Sequence, residues 1–76
     1  MNSSDISRLL NEALPGAQIA VRGEGGKFEV DIVSSVFEGL NRVKRQQAIY
    51  RVLNEHIATG AIHAVSMILK SPAETA

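Results

Sequence analysis

The chain has 76 residues, no cysteine, and eight basic residues balanced by eight acidic ones. That length bounds it to one domain, 1–76, and leaves little chain for a deep pocket, because a domain so small buries only about 60% of the surface its unfolded chain exposes. The zero formal charge argues against a dedicated nucleic-acid binder, and the lack of thiols excludes disulfides, cysteine-only metal sites and thiol catalysis by this chain alone.

The first predicted element is a helix over 4–14. Ile6, Leu9, Leu10, Ala13 and Leu14 recur at i, i+3, i+4, i+7 and i+8, a one-sided apolar stripe. Ser3 or Ser4 is placed at the N-cap, Asp5 suits the positive end of the dipole, and Pro15-Gly16 ends the helix. Residues 17–22 alternate, with Ala17, Ile19 and Val21 facing one way, which is the pattern of a half-buried strand. Gly23-Glu24-Gly25-Gly26 then makes a flexible connection, and 27–33 alternate again through Phe28, Val30 and Ile32. Together these predict a β-hairpin.

Residues 34–40 read as a loop or short helical turn. A long helix follows over 41–59, capped by Asn41 and stopped by Gly60. Val43, Tyr50, Leu53 and Ile57 are assigned to its buried face, with Ile49 on the flank. Arg51 and Glu55 form an i, i+4 pair worth about a few tenths of a kcal/mol. Residues 61–70 are the last strand; their second half is apolar on both faces, which predicts a central, covered position. The polar residues 71–76 read as a flexible tail. The order α-β-β-α-β predicts an α+β two-layer sandwich, with a three-stranded sheet carrying its helices on one face. No basic n-region leads into an apolar stretch, and no apolar run is long enough to span a bilayer, so a cytoplasmic protein with no membrane association is expected.

The glycines look more suggestive than they are. Gly23-Glu24-Gly25-Gly26-Lys27-Phe28 starts like a dinucleotide fingerprint but has Phe28 where the third glycine belongs, and it joins two strands. It also fits the G-x-x-G of KH domains, but that loop joins helices, and Glu24 would repel a phosphate. A turn that requires positive φ is the preferred reading.

Three segments resemble one family. Val36-Phe37-Glu38-Gly39-Leu40-Asn41-Arg42-Val43-Lys44-Arg45-Gln46-Gln47 looks like the BolA motif, an F-x-G-x-x-R core leading into a basic helix. Ile62-His63-Ala64-Val65-Ser66 is similar to the hydrophobic-His-Ala segment that opens the last BolA strand, and Ser71-Pro72-Ala73-Glu74 to the T-P-x-E-W element after it, with Thr75 in place of Trp. The short hairpin and the V-K-R-Q-Q helix start look most like the short bacterial IbaG (YrbA) branch. The resemblance implies a fold related to class II KH domains. It implies a non-enzymatic adaptor that binds a monothiol (CGFS-type) glutaredoxin, with or without a bridging 2Fe–2S cluster, in iron–sulfur trafficking or iron regulation. In such a pair the glutaredoxin supplies a cysteine, glutathione a second thiolate, and the BolA protein the histidine of its last strand, here His63. A second BolA-side ligand usually comes from the hairpin loop. The branch often has His before the hairpin phenylalanine, where this chain has Lys27, a poor ligand for a cluster iron.

An imidazole can replace a thiolate on one iron, but only through an unprotonated nitrogen, and one histidine cannot hold a cluster alone. Any cluster must therefore be shared, and the chain alone is expected to bind no cofactor. For His63 the plain alternative is a partly buried, hydrogen-bonded side chain. His56, near the end of the long helix, reads as structural. The expected partner surface comprises Lys27, Phe37, Gly39, Arg42 and His63. The second functional reading is a nucleic-acid-binding transcriptional or stress regulator, a role some BolA proteins have been linked to. Its candidates are Arg42, Lys44, Arg45, Arg51 and Lys70, since no acid lies between Glu38 and Glu55. The chain alone is expected to be a monomer or a weak homodimer.

Overall fold

The computed structural model describes residues 1–75. Helix α1 spans Ser3–Ala13 and buries Ile6 and Leu10 completely. Its cap lies one residue earlier than expected. Asn2 Oδ1 accepts the Asp5 N–H at 2.9 Å, and Asp5 Oδ2 accepts the Asn2 N–H at 3.0 Å, a reciprocal capping box. An asparagine followed three residues later by an acid satisfies two orphan donors at once, which Ser3 or Ser4 would not.

Strands β1 (Gln18–Glu24) and β2 (Lys27–Val33) pair antiparallel, with Glu24 opposite Lys27. The connection is thus two residues, Gly25-Gly26, not four. Both have positive φ, 63° and 81°, as a type I′ hairpin turn demands. A 3₁₀ turn, Ser35–Phe37, leads to helix α2 (Arg42–Ala58), which Asn41 caps as expected by accepting the Lys44 N–H at 2.9 Å. Strand β3 (Ala64–Lys70) then runs parallel to β2, and a last turn of helix, α3, spans Pro72–Thr75. No helix among the described residues is long and apolar enough to cross a membrane.

The sheet order is β1-β2-β3. Rows across it follow from the register: Val21, Val30 and Met67 share one, Ile19, Ile32 and Leu69 the next. These side chains, with Phe28 and Val65, face α1 and α2, which cover one side of the sheet as the α+β reading expects. Ala20, Arg22, Ser66 and Ile68 lie on the other side and are exposed.

Three expectations are corrected. First, β3 is an edge strand and starts at Ala64, not 61; its alternation puts Val65, Met67 and Leu69 inward and leaves Ile68 41% exposed. The central strand is β2, whose Phe28, Val30 and Ile32 are all buried. Second, α2 turns Ile49 and Leu53 into the core, while Val43 is 60% exposed and Tyr50 41%. Val43 lies in the first turn, where Asn41 and the 3₁₀ segment, not the sheet, set the helix's entry. Third, Ser71 is buried and 72–75 are helical, so these residues are not a frayed tail. Residue 76, also assigned to that tail, lies outside the described residues.

Candidate functional site

His63 is the last of the five residues that link α2 to β3. Thr59 and Gly60 end the helix, with Gly60 at φ 83°. Ile62, 2% exposed, anchors the link in the core, and its N–H donates to the His56 carbonyl at 3.1 Å. The next two N–H groups, of His63 and Ala64, both donate to the Gly26 carbonyl, at 2.7 and 3.1 Å. The hairpin turn and the start of β3 are therefore stitched together at one oxygen. The His63 side chain is exposed there, at the rim of a hollow of about 290 Å³ lined by Tyr50, Ile57, Ile62, Ala64 and Val65.

Lys27 is exposed at the same end of the sheet, and its register partner on β3 is Ala64, next to His63. It places a cation beside the start of β3. Among the described residues no three His, Cys, Asp or Glu side chains come together to hold a metal. A 2Fe–2S cluster does not fit this chain alone. The chain has no cysteine, and a single histidine cannot hold such a cluster. His56 is half-buried, and its backbone carbonyl accepts both the Ile62 N–H and the Thr59 hydroxyl.

The expected partner surface divides. Lys27, Gly39, Arg42 and His63 are exposed, but Phe37 is fully buried and forms part of the core. A surface role for Phe37 is thereby corrected: the 3₁₀ turn points its ring inward.

The basic candidates divide as well. Arg42, Lys44, Arg51 and Lys70 are exposed. Arg45 is not a free cation: its side chain is only 14% exposed. Its Nε donates to the Leu40 carbonyl at 3.0 Å, and its Nη1 to the Leu69 carbonyl at 3.1 Å and to Glu74 Oε1 at 2.6 Å. Its guanidinium carbon lies 5.9 Å from the centre of the Phe37 ring. Lys44 and Arg51, two turns apart, share the outward face of α2, whereas Arg42 lies two positions before Lys44 and therefore on another face. Lys70 lies on the sheet. The ion pairs among the described residues are Asp5–Arg8, Arg22–Glu29 and Arg45–Glu74; the expected Arg51–Glu55 pair is not formed.

The Arg45–Glu74 clamp is the feature that sequence reasoning missed. Both residues line a groove of about 400 Å³ between α2 and β3, together with Leu40, Arg42, Gln46 and Met67. Glu74 has its pKa held down to about 2 from the ordinary 4.5, first by the Ser71 backbone N–H at 2.8 Å, then by the Ser71 hydroxyl, then by Arg45. A signal for it existed. Ser71-Pro72-Ala73-Glu74 has a serine, a proline at the first helical position and an acid three residues on, the pattern of a helix start.

Comparison with known proteins completes the description. Residues 5–74 match the family model of BolA-like proteins. The acid stress protein IbaG of Escherichia coli K12 is 42% identical over 76 residues, which cover all of this chain and 90% of that protein. A protein of Acinetobacter guillouiae from the rpoN-murA intergenic region is 48% identical over 67 residues, 88% of this chain and 81% of its own. Among solved structures, BolA1 from Arabidopsis thaliana superposes with a TM-score of 0.83 at 33% identity, covering 95% of this chain and 93% of that one. A BolA homologue from Coxiella burnetii gives 0.85 at 26% identity, covering 99% and 96%.

Proposed function

This chain belongs to the BolA-like family, and from that premise we propose that it is a cytoplasmic, non-enzymatic adaptor that pairs with a monothiol glutaredoxin and offers the His63 imidazole to an iron–sulfur cluster handled between them. The observation that carries this reading is the placement of His63. Its ring is exposed at the rim of a hollow, on a backbone pinned by two hydrogen bonds to the hairpin turn. A metal ligand gains from such preorganisation because little rotamer and backbone freedom is left to lose on binding. The chain has no thiol, so the glutaredoxin and glutathione supply the sulfur ligands. The name of the relative IbaG, an acid stress protein, supports placing this adaptor in a stress response.

Nucleic-acid binding is supported less. Arg45 commits its Nε and Nη1 donors inside the fold, and the remaining cations are spread over different faces.

The test is co-purification with the host's monothiol glutaredoxin in the presence of iron and glutathione, read by visible absorption and circular dichroism. The wild-type chain is expected to give a coloured heterodimer. His63→Ala should lose the heterodimer's visible dichroism while keeping the wild-type far-ultraviolet spectrum, because an exposed side chain contributes little to the fold. An unchanged visible spectrum in His63→Ala would sink the ligand role.

Lys27→His is predicted to act in the opposite direction. It replaces a cation with a second imidazole on the strand position paired with Ala64. The visible absorption of the complex should then decay several-fold more slowly under a chelator than that of the wild type. Equal decay rates would show that residue 27 does not reach the cluster.

A further inference from the structure

We propose that Gly26 is a positioning residue for His63: the missing side chain at the second turn position makes the space in which the imidazole lies. Two observations carry this, and neither concerns the strand on which His63 was expected. The Gly26 carbonyl accepts both the His63 and the Ala64 N–H, so the turn fixes the backbone that bears the ring. A Cβ built on Gly26 would collide with His63 Cδ2, and would lie 3.1 Å from Cγ and 3.2 Å from Nε2. The Cδ2 edge of the ring therefore faces the turn, and the Nδ1–Cε1 edge lies on the far side.

Gly26 has a φ of 81°, which alone favours glycine, but this does not account for the open space. Its neighbour Gly25 also has positive φ, 63°, and a Cβ built there meets nothing within 4 Å. The two glycines thus separate two requirements. Gly25 answers to the turn's dihedral angles alone. Gly26 answers to those angles and to the ring packed against it. Any larger residue at 26 would drive the imidazole into another rotamer, away from the turn. The link to cluster handling rests on the function proposed above; the geometric claim does not.

The experiment compares Gly25→Ala with Gly26→Ala in the intact chain, without partner or metal. Both place an alanine at positive φ in the same turn and share that strain. The readouts are the side-chain NMR resonances of His63, the nuclear Overhauser contact between His63 Hδ2 and the Hα protons of residue 26, and the rate at which diethyl pyrocarbonate modifies His63. Gly26→Ala is expected to shift the ring resonances, remove the contact and change the modification rate several-fold. Gly25→Ala should leave all three as in the wild type. Equal shifts in the two variants, or none in Gly26→Ala, would overturn the proposal. Should Gly26→Ala fail to fold, the wild-type protein decides: absence of the Hδ2–Hα contact refutes the packing, and its presence supports it. A ring displaced in Gly26→Ala with unaltered visible dichroism in the glutaredoxin complex would leave the positioning intact and count against the ligand role.

Discussion

Phe37→Ala is expected to remove roughly half of the stability of the fold and to move its urea midpoint sharply down. Phe37 is the largest of the fully buried side chains, with no exposed surface. Truncating a core phenylalanine to alanine costs about 3–5 kcal/mol, the lost transfer energy plus the cavity left behind. A domain of this length has only about 4–11 kcal/mol in total, at roughly 0.05–0.15 kcal/mol per residue. The loss is compounded because the ring also lies under the Arg45 guanidinium and is the anchor of the 3₁₀ turn. Urea denaturation followed by far-ultraviolet circular dichroism checks this. Phe37→Leu, which keeps most of the volume, should cost less than about 1.5 kcal/mol and retain a cooperative transition. A Phe37→Ala midpoint close to that of the wild type would contradict the burial of this ring.

Breaking the Arg45 clamp should be the next most damaging change. Arg45→Met keeps the length of the side chain but takes the donor from the Leu40 and Leu69 carbonyls, while Glu74 loses its cation and keeps the Ser71 N–H. Unsatisfied, partly buried acceptors cost about 1–3 kcal/mol each before water replaces the bond, so a loss of about 2–3 kcal/mol is expected in urea titration. Glu74→Gln tests the same contact through pH. The folded carboxyl is held at about 2 against an ordinary 4.5, so Glu74 adds stability that is complete above about pH 4.5. That stability drains as pH falls from 4.5 toward 2, because the unfolded chain takes up the proton first. The wild type should therefore exceed Glu74→Gln in stability at neutral pH, and the gap should narrow through that acid range. A gap that stays constant from pH 7 to pH 2 would show that the carboxylate is not engaged.

How far the fold was legible follows from where local pattern and tertiary context agree. The hairpin could be read because strict alternation at Phe28, Val30 and Ile32 coincides with a two-glycine turn at positive φ. The face of α2 was harder to read. Its apolar residues admit two overlapping stripes, and only the sheet decides between Val43–Tyr50 and Ile49–Leu53. Met67-Ile68-Leu69 reads locally as a covered strand, yet its place at the edge depends on β2 taking the centre, a non-local fact. The candidate site was legible in part. His63 could be named from its segment, but its neighbour Gly26 is 37 positions away in sequence and only the fold reveals their contact. Arg45 reads locally as a surface cation because charge in a helix is ordinarily solvated. Its partners, Leu69 and Glu74, become neighbours only after β3 returns alongside α2.

The guanidinium on the Leu69 carbonyl also bears on how the molecule behaves in a crowded solution. A border strand presents unpaired amide groups to any stranger chain that drifts alongside, and this is how fibrils begin. Here one such acceptor, the Leu69 carbonyl, already takes a hydrogen bond and is closed to a newcomer. The arginine that lines the groove therefore also guards this rim against unwanted stacking.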